Sequence, residues 1–456
     1  MLAWVNQYLF GTVVPFFLVA AGIFYGFRLR WFHVRHPLRV FRALTERRPE
    51  AGVSPLRALC LALAGTLGVG NIVGVSAAIA MGGFGSIFWM WISAFFAMLL
   101  KYAEIVLAMA HRRYDKKGKP HGAAMCYMRD FFDRRGRPLL GATVAGIFAC
   151  LCIMNAVTMG SVIQINAVTG AVGDVWGIPP LWVGGVLAIV TFLIIRKGTE
   201  GMIGLTGRLV PLMTLLYLTL SAAVLILRAE AIPAALGAIV KNAFRSDAAM
   251  GGIGGFLLSS ALRYGTMRGL VSNEAGCGTA PAAHAVSDCR VPAKQGLWGI
   301  FEVFTDTILL CTVTALVVIV SWSDIVARDG EYMQITLHAY SAVLGNVAAH
   351  LMTVCVLFFG FATVICWAHY GMESVRYLSR RPIVRHAFIM LYSLSVFYGA
   401  FASSETIWQA ADFAVGAMTL INLIFLCLMS GEVRHETNVW LRDAKDASYF
   451  SFEKEK

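Results

Sequence analysis

Charge is scarce in this chain. Asp, Glu, Lys and Arg make up 14% of its 456 residues, while hydrophobic residues make up 58%. A soluble chain of this length divides into domains joined by polar linkers, and no such linker interrupts it. Metal and disulfide frameworks are lacking too: there are ten cysteines, yet no CxxC pair and no HExxH-type spacing. Several of them, including Cys150, Cys152, Cys311, Cys355 and Cys366, fall in apolar runs, where a thiol behaves as a small hydrophobe. The pattern GxxxxGKS/T is absent, which excludes a P-loop nucleotide site. No basic residue precedes the first apolar run, and Arg28 and Arg30 follow it. That start reads as a retained anchor rather than a cleaved signal.

What is present is a series of apolar runs of about 20 residues, the length that spans a bilayer. They place spans near 7–27, 58–80, 85–110, 140–170, 180–195, 208–227, 253–280, 296–320, 346–368, 386–403 and 408–430. Most of the 38 Lys and Arg lie in the connections after the odd-numbered spans and in the tail. The alternate connections hold only Arg228, Lys241, Arg245 and Arg328, and Lys101, Arg263 and Arg268 lie within spans. This positive-inside bias predicts eleven spans in the cell inner membrane, with the N-terminus outside and the C-terminus cytoplasmic. The formal charge of +12 is therefore topology, and no nucleic-acid partner is implied.

Eleven divides as one plus five plus five. An odd number per set means that the two sets run in opposite directions across the bilayer. The expected fold class is thus all-α and polytopic: a 5+5 inverted repeat preceded by one extra helix. A single membrane unit covers 1–456, with the extra helix and a basic connection in 1–57. The repeats take 58–227 and 253–430, and 431–456 is a tail. The second and seventh spans, which open the two repeats, are each interrupted. One reads GTLGVGNIVG from Gly65 to Gly74, the other RGLVSNEAGCG from Arg268 to Gly278. Gly and Asn are poor helix formers, and backbone freed inside a bilayer must find partners. Paired broken helices in two repeats point to a transporter's substrate and ion site.

Two readings of the first break stand side by side. Gly65, Gly68, Gly70 and Gly74 suit close helix packing. Asn71 and Thr66 beside them suit an unwound segment whose amides meet a carboxylate and whose carbonyls meet a cation or ammonium. Ser272, Asn273, Gly276 and Gly278 repeat that chemistry in the second break. The spacing GxGxxxG, with no preceding strand, is not a dinucleotide fingerprint.

The segment GGFGSIFWMWISAFFAMLLKYAE, from Gly82 to Glu104, closely resembles the signature of the alanine or glycine:cation symporter family. The resemblance extends through GTLGVGNIVGV from Gly65, GSVIQIN from Gly160, TGRLVPLM from Thr206 and RGLVSNEAGCGTAPAAHA from Arg268. It continues in QGLWGIFEVFTDT from Gln295, FATVICW from Phe361 and ADFAVGAMTLINLI from Ala411. It implies a leucine-transporter-like fold and sodium-coupled import of a small neutral amino acid by alternating access, with no cofactor beyond the coupling ion. By that resemblance, the Val69 and Gly70 amides bind the substrate carboxylate. The Thr66 carbonyl and Ser272 face its amino group, and Gln164, Thr363 and Trp367 line the same space. Asn71 is implied as the sodium ligand, helped by carbonyls near Leu67 and by Thr363.

Departures from the family bear on the cargo. Val271 stands where the family usually has Phe, which opens space beside the second break, and Ala123–Ala124 replaces Gly-Pro. Ala97 replaces the Gly that closes the family signature. Alanine or glycine remains the first expectation, with a somewhat larger side chain next.

Five acids fall within spans: Glu104, Glu274, Glu302, Asp306 and Asp412. Each needs a partner or water in a bilayer. Lys101 is expected to pair with Glu104 three residues on. Glu274, inside the second break, is expected to act as a gating or structural charge with Arg268 or Arg263. Glu302 and Asp306, at i and i+4, clash unless one is protonated or a cation lies nearby. A proton-coupled carrier of the same fold, using Glu274 or Asp306, is the alternative. An enzyme is not expected, since His338, His350 and His369 do not converge by topology. One charge crossing about 100 mV, plus a tenfold sodium gradient, supplies about 3.7 kcal/mol, enough to concentrate a zwitterion several hundredfold. The oligomeric state is not set by the sequence, and a monomer is compatible with it.

Overall fold

The structure, a computed structural model, describes residues 4–6, 13–45, 52–116, 118–244, 260–325, 332–402 and 405–453, with side chains to residue 442. The described residues are helical but for one short ribbon. The chain enters through α1 (Val14–Arg28), turns through left-handed Arg30 and Trp31, and runs on as α2 (Phe32–Arg35) and α3 (Pro37–Thr45). Ser54 caps the next helix, its Oγ accepting from the Arg57 amide at 3.3 Å, and Pro55 fills the first turn. That helix, α4 (Pro55–Thr66), is followed by a π turn (Gly70–Gly74) and α5 (Val75–Gly82). The two arms are bent by 55°, so the expected break in the second span is real.

Next come α6 (Gly85–Ala110), the ribbon β1 (Arg113–Tyr114) with β2 (Pro120–His121), and α7 (Ala124–Asp133). The antiparallel ribbon was not expected from the sequence. It forms because Gly118 adopts a left-handed turn and the Asp115 carboxylate accepts from the Lys119 amide at 2.9 Å. Then follow α8 (Pro138–Val157), a π turn (Thr158–Val162), α9 (Ile163–Trp176), α10 (Pro180–Arg196), α11 (Thr199–Leu227) and α12 (Ile232–Ala243).

The second half holds α13 (Ser260–Asn273), α14 (Ala280–His284) and α15 (Pro292–Val303). A longer π turn (Phe304–Cys311) leads into α16 (Thr312–Val320) and α17 (Tyr332–Leu344). The chain closes with α18 (Asn346–Leu378), α19 (Pro382–Gly399), α20 (Glu405–Leu428) and α21 (Ser430–Glu453). Among the described residues, six segments are long and apolar enough to cross a membrane, or seven with the bent pair, and α1 and α10 are apolar but shorter. Residues 7–12 of the first expected span, 253–259 of the seventh and 403 of the tenth lie outside the described residues.

Burial separates the helices that hold the site from those that wrap it. The most apolar stretch of α6 is 83% buried and that of α18 is 72% buried, against 33% for α11. Apolar solvent drives no helix pairing in lipid, so close approach depends on small residues. A Cβ on Gly265 would sit 2.2 Å from the Ser86 carbonyl oxygen, and one on Gly299 would sit 2.4 Å from Ile105 Cδ1. Through these glycines α13 and α15 press against α6, which brings the second break beside the first.

Candidate functional site

At the first break the backbone leaves the α-helix at Leu67, and the Gly68 amide closes a tight turn onto the Thr66 carbonyl at 2.8 Å. Its glycines differ from position to position. Gly65 and Gly68 are packing glycines: a Cβ would meet Cys366 Sγ at 2.8 Å in one case and Thr363 Oγ1 at 2.8 Å in the other. Gly70 and Gly74 face open space, with nothing within 4 Å of a built Cβ. The Val69 amide donates to Gln164 Oε1 at 3.2 Å, and Gln164 Nε2 donates to the Met159 carbonyl at 3.3 Å. Gln164 is thus held at the break by the π turn of the fourth span. Thr363 donates to the Ala64 and Phe359 carbonyls, both at 3.0 Å, which seats α18 against α4. Trp367 packs on Gly160, where a Cβ would lie 2.4 Å from the indole Cγ, and stacks edge-on with Tyr370 at 5.3 Å.

The second break is built differently. Beyond Asn273 the chain turns left-handed at Glu274 (φ 50°), Gly276 (φ 85°) and Gly278 (φ 79°) before α14 begins. The freed backbone finds side-chain partners, as it must in a bilayer. The Gly278 amide donates to Glu104 Oε1 at 2.8 Å, and Asn422 Nδ2 donates to the Gly276 carbonyl at 2.9 Å and to Glu104. Tyr127 in turn donates to Asn422. Ala124, one of the departures from the family, lies against Gly278.

Asp306 joins the two breaks. It accepts from Asn71 Nδ2 at 2.6 Å, from Ser272 Oγ at 2.8 Å and from Thr307 Oγ1 at 2.7 Å, and is fully buried. A carboxylate only accepts, so the Asn71 amide must present its NH₂ to it. Asn71 Oδ1 is left buried without a partner, as are the hydroxyls of Thr66 and Tyr370. Buried polar atoms are normally bonded, and these three are left without partners at or beside the first break. Val271 is half-buried beside Ser272, while Leu67 is fully buried.

Two expectations about charge are corrected, and a third is met. Lys101 does not pair with Glu104: its Nζ lies 3.2 Å from Glu302 Oε1, because Glu104 is taken up by the second break. Glu274 does not pair with Arg268 or Arg263; its Oε2 accepts from Thr279 at 2.7 Å, and the acid that acts on Arg268 is Asp412. Glu302 and Asp306 meet the condition set for them: the cation Lys101 lies 3.2 Å from Glu302, while Asp306 takes its own donors from Asn71, Ser272 and Thr307. Glu302 also accepts from His284 at 3.1 Å, and His284 is steadied by Gln295 at 2.8 Å. Sequence reasoning missed Tyr370, Asn422, the π turns and the bond that ties Glu104 to the second break. The lone Asn422 in an apolar helix was the available signal.

The chain is similar to known proteins over most of its length. The sequence model of the sodium:alanine symporter family matches residues 1–454. The chain is 34% identical to the sodium/alanine symporter AgcS of Methanococcus maripaludis, over 96% of each protein. It is 32% identical to the probable sodium/glutamine symporter GlnT of Bacillus subtilis, over 93% of this chain and 87% of that one. Among solved structures, the crystal structure of MhsT in complex with L-phenylalanine superposes with a TM-score of 0.53 at 16% identity, over 84% of this chain and 90% of that one. That likeness shows a shared leucine-transporter-type fold.

Proposed function

The chain belongs to the sodium:alanine symporter family, and on that premise we propose that it imports a small neutral amino acid together with sodium. Alanine or glycine is the first choice of substrate, and Val271 leaves room for a somewhat larger side chain. The carboxylate of the zwitterion docks at the Gly70 amide, where the break faces open space. Its ammonium faces Thr66 and Ser272, and Gln164, Thr363 and Trp367 bound the pocket. Sodium sits where Asn71 meets Asp306, with Leu67 and Thr363 on the α4 side. Asp306 supplies a full negative charge, and the unpartnered Asn71 Oδ1 supplies a neutral oxygen. Hard cations take oxygen donors of this kind.

The observation that supports this reading best is the convergence of both broken helices on one buried carboxylate. Coupling follows if sodium draws Asn71 and Ser272 onto Asp306, since a ligand shifts a conformational equilibrium only by its differential affinity. We further propose that the unit spans the inner membrane eleven times with its basic connections cytoplasmic, and that Glu274 and Arg268 respond to closure separately. The alternative, proton coupling, is favoured by the same fact that Asp306 is a carboxylate rather than an amide. Uptake of labelled alanine, glycine and larger neutral amino acids into proteoliposomes decides between them. An inward sodium gradient drives accumulation on the first reading. Accumulation driven equally by a proton gradient in sodium-free buffer supports the second.

A further inference from the structure

Away from the breaks, the end of α1 and the start of α21 enclose a cavity of about 480 Å³. Six arginines line it: Arg28, Arg30, Arg35, Arg39, Arg434 and Arg442. No Asp or Glu lines it, and none of the six is seen in an ion pair among the described residues. So dense a cluster of like charge is unfavourable without a counter-charge. Arg28 Nε and Arg39 Nη1 are moreover buried without hydrogen-bond partners. Guanidinium forks of this kind match phosphate oxygens in bidentate fashion.

The arginines are held in place by the fold. Arg30 and Trp31 take left-handed backbone (φ 56° and 52°), a conformation that costs a side-chain-bearing residue about 1–2 kcal/mol. Trp31 offsets it by stacking on Phe95 at 5.7 Å and filling the space beside Gly26. On the other wall, Tyr25 donates to the Leu426 carbonyl at 2.6 Å and ties α1 to α20, just before α21 begins. The cluster is therefore assembled from two distant parts of the chain.

The surroundings are those of a lipid. A shallower depression, bounded by Phe24 and Phe27, shares Arg28, Arg30 and Arg434 with the cavity. It leads onto the outer face of α1, where Phe27 is 72% exposed. On the other side α3 presents Leu38 and Phe41 outward alongside Arg39 and Arg42. A short helix with exposed apolar and basic faces lies in the membrane interface.

We propose that this cavity binds the phosphate headgroup of an anionic phospholipid, its acyl chains running along the Phe24–Phe27 face. The leaflet is the cytoplasmic one, a detail that rests on the orientation proposed above. Binding itself does not depend on orientation or on transport, so it is tested separately from both.

The test is native mass spectrometry of the full-length protein in detergent with equal phosphatidylglycerol and phosphatidylethanolamine. Phosphatidylglycerol is expected to be retained selectively. An Arg35→Gln/Arg39→Gln/Arg434→Gln variant should bind it at least about tenfold more weakly, since each basic group removed takes away part of the attraction to an anionic headgroup. The matching triple Lys variant, which keeps the charge, should retain most of the binding and so controls for folding. An Arg380→Gln/Arg381→Gln/Arg385→Gln variant, which removes the same charge elsewhere, should bind as wild type. Equal retention of both lipids, or wild-type binding by the first variant, overturns the proposal. So does displacement of the lipid by millimolar inorganic phosphate, which would make the cavity a site for the free anion.

Discussion

Lys101 and Glu302 are both buried inside the bundle, 3.2 Å apart. Removing one member of such a pair strands the other, and typically costs about 3–5 kcal/mol. Lys101→Met is therefore expected to lower the melting temperature strongly, and Lys101→Met with Glu302→Gln to recover most of the loss. Thermal unfolding in detergent checks this, and equal melting of both variants would mean that the pair is not the cause. The same residues show what was legible at this scale. The breaks at Gly65–Gly74 and Arg268–Gly278 were visible because Gly and Asn stand out in apolar helix. The partners of the buried acids were not. Lys101 has Glu104 one turn away in sequence, yet the second break claims that carboxylate through Gly278 and Asn422. Local spacing offers candidates, and long-range backbone demand chooses among them.

Between elements, the end of α6 is tethered outside the membrane by His111. Its Nδ1 lies 2.7 Å from Asp130 of α7 and its Nε2 lies 2.9 Å from Glu432 of α21. Both partners can only accept, so both ring nitrogens must donate and the imidazolium is the form that fits. Burial opposes that charge, but the two hydrogen bonds outweigh it and hold the His111 pKa above its usual 6.5. The hydrogen bond from His111 is the main cause that keeps Glu432 below the usual carboxylate value. The signs follow by linkage. The histidine's contribution is complete below about pH 6.5 and is lost as pH rises through its raised folded value. The Glu432 contribution is lost instead as pH falls through that carboxylate's depressed value. Wild-type protein should thus lose melting temperature as pH is raised above about 6.5 and through the raised value, and His111→Gln should show a flatter profile. Parallel profiles would show that the tether does not titrate. None of the π turns at Gly70–Gly74, Thr158–Val162 and Phe304–Cys311 was legible beforehand. At Gly70–Gly74 the sequence marks an interruption but not its form, and the other two read as ordinary helix, because one extra residue per turn leaves no compositional mark.

At the scale of the whole molecule, hydropathy and motif order were enough to reach the family and the fold. Span ends were less legible, because α9, α11 and α18 continue past their apolar cores into polar residues. The outcome is a bundle whose two interrupted helices, far apart in sequence, share one carboxylate. That convergence is the central claim, and sodium-dependent binding tests it most directly. Labelled alanine should bind purified protein only when sodium is present. In Asp306→Asn the half-saturating sodium concentration should rise at least about tenfold, a loss of about 1.4 kcal/mol. Alanine binding that ignores sodium, or an Asp306→Asn protein with the wild-type sodium requirement, would contradict the account.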